Sequence, residues 1–147
     1  MLFNPLDIGE DENFVRCRFL DCFVCCKETE MLLTQNDVKN IEQHGFKSDE
    51  FLLSKDDSDG FLQLKNKDSK LGTVCFFLND NGKCGIYEYR PEGCRLYPLI
   101  INLDTNEEMI DEDCREKIWF TKQKYSKNQV TQINNLVIQL FLENDNY

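Results

Sequence analysis

The feature that most constrains the fold of this 147-residue chain is its eight cysteines. Four of them lie within ten residues: Cys17, Cys22, Cys25 and Cys26. The other four follow at wide spacing: Cys75, Cys84, Cys94 and Cys114. Thiolates are soft ligands that suit zinc, iron–sulfur clusters and copper(I), and a C-x2-C spacing lets one tight loop present two sulfurs to one centre. The pattern predicts metal binding with all eight cysteines as candidate ligands, which would fill either two four-cysteine sites or one site with spare thiols left over.

The adjacent pair Cys25 and Cys26 is a special case within the first group. Side chains of neighbouring residues usually point in different directions, so such a pair rarely serves one ion in an unstrained loop. Either one cysteine binds the metal while the other packs, or each faces a different centre. Cys26 is therefore predicted as a ligand whose role depends on the shape of the loop.

Two other interpretations of the cysteines are a disulfide framework and a set of unrelated buried thiols. The segment Met1–Asp7 has neither the basic nor the apolar region of a signal peptide. We therefore expect a cytoplasmic protein, in a compartment where disulfides seldom persist. Free cysteines do pack as small hydrophobic residues, but eight are too many for a chance scatter. Metal binding is the favoured interpretation.

The composition and charge of the chain restrict the kinds of partner that it could bind. Hydrophobic residues make up 41% of the chain and charged residues 30%, as in an ordinary globular domain. The formal net charge of −10 argues against a nucleic-acid partner, because binding to phosphates depends on lysine and arginine. No apolar run reaches the length of a membrane span, so no membrane association is expected. A protein partner is the expectation that remains.

The hydrophobic pattern predicts a single α+β domain over residues 1–147, with short strands, a central helix and a C-terminal helix. Residues 1–13 are expected to form an extended arm, and residues 14–114 a cysteine-rich metal-binding core that starts as a loop around the metal. Thr34 and Asp37 are spaced as a capping box that begins the central helix, and Gly45 ends it. Helical spacing of apolar residues predicts the C-terminal helix over residues 126–143.

Short strands are predicted between the helices. One is expected at Phe61–Leu64. A hairpin is expected from Val74–Leu78 and Cys84–Tyr89, because Asn81-Gly82 between them is a strong tight-turn signal. Leu96–Leu103 is expected to be extended, and the acidic run from Glu107 to Asp113 to be a solvated loop.

Five sequence blocks carry a family resemblance. They are Phe14–Cys17, Cys22–Cys26, Cys75–Leu78 (C-F-F-L), Cys84–Glu88 (C-G-I-Y-E) and Arg90–Pro98 (R-P-E-G-C-R-L-Y-P). In this order they resemble the YkgJ-type, or CxxCxxCC, family of zinc- or iron-chelating domains, over most of the chain from about residue 14 to 114.

The resemblance implies a cysteine-rich metal domain that carries an iron–sulfur cluster, of the 4Fe-4S type, or zinc. It carries over seven ligands: Cys17, Cys22, Cys25, Cys26, Cys75, Cys84 and Cys94. Cys114 lies outside the densest blocks. The gap between Cys17 and Cys22 is longer than is usual in the family.

Three further residues have side chains that suit a metal site. Arg90 and Arg95 flank Cys94, and their charge would offset thiolates or donate hydrogen bonds to cluster sulfurs. Bonds from the same arginines to backbone carbonyls of a turn are an equally good interpretation. His44, the only histidine, is placed in the last turn of the central helix, where a surface role is favoured over metal binding.

Three functions are compatible with these residues. The favoured one is an iron–sulfur or iron protein that transfers electrons or delivers metal to a partner. The second is a structural zinc module that presents an interaction surface. The third is an accessory domain of a protein-modifying enzyme, suggested by a similar cysteine motif in flagellin lysine methylases. The sequence contains neither a phosphate loop nor a serine nucleophile elbow, and it leaves open whether the chain is catalytic.

Overall fold

The first helix, α1 (Gln35–Glu42), begins at the predicted capping box. The computed structural model describes residues 6–8, 15–17, 23–122 and 125–146. The Thr34 side chain accepts the Asp37 N–H at 3.0 Å, and the Asp37 carboxylate accepts the Thr34 N–H at 3.0 Å. Gly45 adopts a φ of +99° just beyond the helix, as a helix-terminating glycine does. Both predicted ends of the central helix are confirmed.

The described residues form eight short strands and five α-helices. The strands are β1 (Leu6–Ile8), β2 (Val15–Cys17), β3 (Leu32–Leu33), β4 (Leu62–Gln63), β5 (Asn66–Ser69), β6 (Gly72–Cys75), β7 (Leu99–Asn102) and β8 (Glu107–Ile110). The helices after α1 are α2 (Ser48–Phe51), α3 (Glu92–Leu96), α4 (Lys117–Lys122) and α5 (Lys127–Leu142), and 3₁₀ turns occur at Val24–Cys26 and Tyr87–Tyr89. The predicted α+β class is confirmed. None of the described helices has the length and apolarity needed to cross a membrane.

The strands pair in twos, and every pair is antiparallel. Three pairs are local: β1 with β2, β5 with β6, and β7 with β8. The fourth pair, β3 with β4, joins Leu33 to Leu62 across the segment that contains α1 and α2. Sheets this small have too few strands to be stable alone, so side-chain packing must hold them together.

Two hydrophobic clusters provide most of that packing. The first surrounds α1 and the strands β3, β4 and β6, and its buried members include Leu33, Ile41, Phe51, Leu64, Cys75, Phe77 and Ile86. The second joins α3 and β7 to α5 through Leu96, Leu99, Ile133 and Leu136. A third, smaller cluster surrounds Phe120 of α4. Burial at this density is the main stabilising contribution to a domain of this size.

The C-terminal helix is confirmed with the predicted limits. Ser126 begins α5, accepting the Gln129 N–H at 3.1 Å, and Glu143 follows its last residue. Ile133 and Leu136 are buried against α3 and β7.

The predicted hairpin between residues 74 and 89 is wrong. Gly82 does make the expected tight turn, with a φ of +79°, but only Leu78 and Cys84 pair across it. β6 pairs instead with β5, which precedes it, and the chain after Ile86 curls into a 3₁₀ turn that ends before Pro91. The strand partner was misassigned because β5 carries the polar sequence Asn-Lys-Asp-Ser, which has no strand propensity.

Three other expectations also differ from the structure. The acidic run does not form a loop throughout, since Glu107–Ile110 is β8, paired with β7. Leu96 ends the helix α3, so only Leu99–Asn102 of the predicted extended stretch is a strand. The expected metal loop contains the strand β2, which pairs with β1 in the segment expected to be extended. Each of these strands pairs with a strand that is close to it in the sequence.

Asp37 links α1 to α3. One of its carboxylate oxygens completes the α1 capping box, and the other accepts the Glu92 N–H at the start of α3, at 3.1 Å. The side chain is buried, and this burial raises the pKa of the carboxyl above its ordinary value. A single buried carboxylate therefore fixes the beginnings of two helices.

We expect the substitution Asp37→Ala to lower the free energy of unfolding by about 2 kcal/mol, because it removes a cap and leaves two backbone N–H groups without an acceptor. Urea denaturation measures this loss. Asp49→Ala is the matched control, since Asp49 is an exposed acidic residue in the first turn of α2, and we expect a change within about 0.5 kcal/mol. Equal losses for the two variants would contradict the linking role of Asp37.

Candidate metal centre

The first cysteine turn is joined to the second half of the chain through the edge of β6. Lys27 pairs with Val74, and the Glu28 N–H donates to the Thr73 carbonyl at 3.0 Å. Cys25 and Cys26 lie in the 3₁₀ turn directly before this pairing, and Cys75 is the last residue of β6. The backbone pairing thus brings the first cysteine turn next to the end of β6, about fifty residues further along the chain.

Cys84 returns to the same region through the turn at residues 79–83. Asn79 donates its N–H to the Lys83 carbonyl at 2.8 Å, which closes the turn, and Gly85 donates to Phe77 at 2.8 Å. Gly82 lies against the Phe23 ring, where a β-carbon would come within 3.2 Å of Phe23 Cδ1. The turn therefore packs against the segment that leads into the first cysteine turn.

The fifth sulfur, that of Cys94, comes from the middle of α3, whose start is fixed by Asp37. Gly93 lets this helix approach the core closely, because a β-carbon at this position would lie 2.5 Å from Met31 Sδ. The position of Cys94 thus depends on a glycine beside it.

Five cysteines influence one another electrostatically. Burial raises the pKa of Cys94 well above its ordinary value, and the charges of Cys25, Cys75 and Cys84 raise it further. The charges of Cys75 and Cys94 likewise raise the pKa of Cys26. Burial also raises the pKa of Cys75 to about 11. The pKa is raised for four of the five cysteines, all except Cys25, so these four favour the protonated thiol unless a cation is present.

Cys25 and Cys26 form a coupled pair within this group. Their sulfurs lie 4.0 Å apart, at hydrogen-bonding distance. The bond to Cys26 lowers the pKa of Cys25, whereas the same bond and burial raise that of Cys26. The two neighbours therefore turn their sulfurs toward each other, contrary to the expectation that neighbouring side chains diverge.

Backbone N–H groups are directed at two of the sulfurs. Phe77 donates to Cys75 and Ile86 donates to Cys84, each from two residues further along the chain. Both bonds favour the thiolate and so counteract burial. Hydrogen bonds to sulfur are one of the means by which proteins stabilise and tune thiolate-bound metals. These two turns suit a thiolate-bound metal.

The two arginines near Cys94 differ in the contacts that their guanidinium groups make. Arg90 is buried, its guanidinium lies 4.1 Å from the centre of the Tyr87 ring, and it donates to the Tyr87 carbonyl at 2.6 Å. Its charge also lowers the pKa of Cys25, Cys84 and Cys94. Arg90 thus combines both predicted roles. Arg95 has a buried Nε that finds no hydrogen-bond partner within the described structure.

Cys114 packs in a different environment. It lies against Phe120 in the third hydrophobic cluster, together with Trp119 and Tyr125. Tyr97 connects this cluster to the five-cysteine group, because its pKa is raised by burial, by a hydrogen bond to Asp111, and by the charges of Cys25 and Cys114. Sequence reasoning missed Tyr97 and Asp111 as neighbours of the site, although Tyr97 belongs to the R-P-E-G-C-R-L-Y-P block.

A comparison with models of known protein families shows which family the chain belongs to. The model of the CxxCxxCC family, described as "Putative zinc- or iron-chelating domain", matches residues 16–133, well over half of the length. The chain belongs to this family. No curated protein and no solved structure matches it. The predicted resemblance is confirmed, and membership supports metal binding by this CxxCxxCC domain.

The cysteines of this CxxCxxCC domain fit such a metal by their chemistry. Five of the described cysteines are free thiols, so the disulfide interpretation fails for these five: Cys25, Cys26, Cys75, Cys84 and Cys94. Among the described side chains, no three His, Cys, Asp or Glu stand in a geometry that would hold a metal ion. The five sulfurs form one group in the sense that their charges shift one another's pKa values. The side chains of Cys17 and Cys22 lie outside the described residues.

His44 lies on the surface, as its position in the sequence predicted. Its ring stacks on Tyr89 with centroids 3.6 Å apart, and Nδ1 lies 2.8 Å from the Asn40 carbonyl oxygen.

We expect Gly93→Ala to lower the free energy of unfolding by about 1–3 kcal/mol, because the added methyl group collides with Met31. The double variant with Met31→Ala should recover at least about 1 kcal/mol relative to the sum of the two single losses. Urea denaturation of all four proteins in the cycle measures this coupling. Additive losses would show that α3 is not held by this contact.

Proposed function

We propose that this CxxCxxCC domain holds an iron–sulfur cluster through Cys25, Cys75, Cys84 and Cys94, and that it transfers electrons or delivers the cluster to a protein partner. The main support is the convergence of sulfurs from separate turns, strand ends and helices into one electrostatically coupled group. Cys26 is a further candidate ligand. A bound cluster would supply a reversible one-electron carrier.

The protein's own residues suit that role. The N–H groups of Phe77 and Ile86 and the buried cation of Arg90 all favour thiolates at the site. Burial of Cys75 and partial burial of Cys84 against the first hydrophobic cluster limit access of water to these two sulfurs, whereas Cys25 is exposed. Both factors are known to tune the reduction potential of thiolate-bound clusters. The domain would work in a reducing compartment such as the cytoplasm, where its thiols stay free.

A structural zinc site is the second candidate. Four thiolates held in tetrahedral geometry are a common structural zinc site. The observation that favours zinc is that Cys26, Cys75 and Cys84 contact the first hydrophobic cluster, so that a metal there would also stabilise the core. A cluster and a zinc ion differ in iron and sulfide content, in colour and in redox activity.

We expect protein purified without oxygen to be brown and to contain iron and acid-labile sulfide. Cys84→Ser and Cys94→Ser should each lose most of the metal, because each removes a ligand of the coupled group. Metal analysis, sulfide analysis and visible absorption measure the outcome. Circular dichroism of the metal-free variants shows whether the fold survives.

Cys114→Ser is the matched control, since Cys114 lies in the third hydrophobic cluster. We expect this variant to keep its iron and sulfide. Colourless protein with stoichiometric zinc would establish the structural alternative instead. Equal metal loss in all three variants would show that Cys114 is also a ligand and that the proposed set is wrong.

A further inference from the structure

An apolar groove lies on the side of α5 that faces the turn between β7 and β8. It has a volume of about 460 Å³ and is lined by Leu103, Asn106, Val137, Ile138, Phe141 and Leu142. Three of these side chains are well exposed: Leu103 by 62%, Ile138 by 58% and Leu142 by 73%. Grouped apolar exposure of this kind is typical of an interaction site, whereas scattered apolar residues are not.

The geometry of the two elements explains why these residues meet. Side chains alternate along a strand, so Leu99, Ile101 and Leu103 lie on one face. Leu99 and Ile101 belong to the hydrophobic cluster that α5 covers, whereas Leu103 lies beyond the last paired residue of β7. On α5, Ile138 and Leu142 are four residues apart and therefore share a face. The groove continues the core beyond the part that the described residues fill.

The charged residues beside the groove along the chain are acidic, and one of them, Asp145, pairs with Lys55 at 2.9 Å. Between Leu96 and Cys114 the chain contains six acidic residues and no lysine or arginine. Two of the acidic residues, Asp104 and Glu107, are exposed in and beside the turn that carries Leu103. The helix has no charged residue from 128 to 142, and the next charged residues, Glu143 and Asp145, are also acidic. An apolar centre with an acidic border results.

We infer that this groove docks a partner protein through an amphipathic helix whose apolar face is bordered by lysine or arginine. The apolar residues match the face of such a helix, and the acidic border matches its cations. A second copy of this chain fits less well, because it would bring another acidic border and a net charge of −10 against the first. The inference is independent of the metal that the cysteines bind.

Fluorescence anisotropy of a labelled model peptide tests this inference on the full-length, metal-containing protein. The probe is a helix of about 18 residues, or five turns, made of leucine and lysine with helical spacing, and its counterpart carries glutamate in place of lysine. The variant Ile138→Gln/Leu142→Gln alters the groove. Ile118→Gln is the matched control, because Ile118 is 69% exposed but lies on α4.

The inference predicts saturable binding of the lysine peptide that weakens about tenfold or more in the groove variant and is unchanged in Ile118→Gln. A second variant, Asp104→Asn/Glu107→Gln, should weaken binding and reduce its dependence on salt. Metal content and melting temperature should stay the same in every variant. The result of the peptide experiment is therefore independent of whether the proposed metal site is correct.

Several outcomes would overturn the inference. They are no binding of the lysine peptide, equal binding to wild type and groove variant, and equal binding of the glutamate peptide. Self-association of the wild type that the groove variant abolishes, seen by sedimentation, would identify a second copy as the occupant. A melting temperature lowered by about 5 °C or more in the groove variant would show that the chain itself covers the groove.

Discussion

The pairing of residues 27–28 with residues 73–74 is the contact on which the rest of the structure depends. It consists of the Lys27–Val74 bridge and the Glu28–Thr73 hydrogen bond. Asn66 strengthens it, because its side chain both donates to and accepts from the backbone of Thr29, at 2.9 and 3.0 Å. Closing so long a segment costs only slightly more entropy than closing a shorter one. The buried residues of α1 and α2 lie inside this closed segment and offset that cost.

The helices are positioned largely by polar side chains that bond to the ends of other helices. Asp37 of α1 accepts the first N–H of α3, and Glu143, just after α5, accepts the Gln35 N–H of α1 at 2.7 Å. Gln132 of α5 donates to the Glu92 side chain at 2.8 Å. Helix starts leave backbone N–H groups without partners, and the bonds to Asp37 and Glu143 each satisfy one of them, whereas the Gln132–Glu92 bond joins two side chains. The result is that α3, which carries Cys94, is held from two sides.

Patterns among neighbouring residues predicted those helices whose ends are determined by nearby side chains. The capping box at Thr34 and the helical spacing of apolar residues after Ser126 predicted both main helices nearly to the residue. The strand partner of β6 was misassigned, because the polar residues of β5 carry no signal and the apolar run at Cys84–Tyr89 does. Nothing near Lys27 indicates that it pairs with Val74. The cysteine ligands were therefore predictable by residue type, but the backbone contact that gathers them and the nearby Asp111 were not.

Three cysteines of the proposed metal site, Cys26, Cys75 and Cys84, also belong to the first hydrophobic cluster or pack against it. Cys75 is buried in the first hydrophobic cluster, and its pKa of about 11 keeps it a neutral thiol near pH 7 when no cation is present. A neutral thiol packs as a small hydrophobic residue, so the core tolerates it. A metal must take the Cys75 sulfur as a thiolate, so binding releases a proton and the Phe77 N–H then faces a charged partner. Metal affinity in this domain therefore depends on the same burial that stabilises its core.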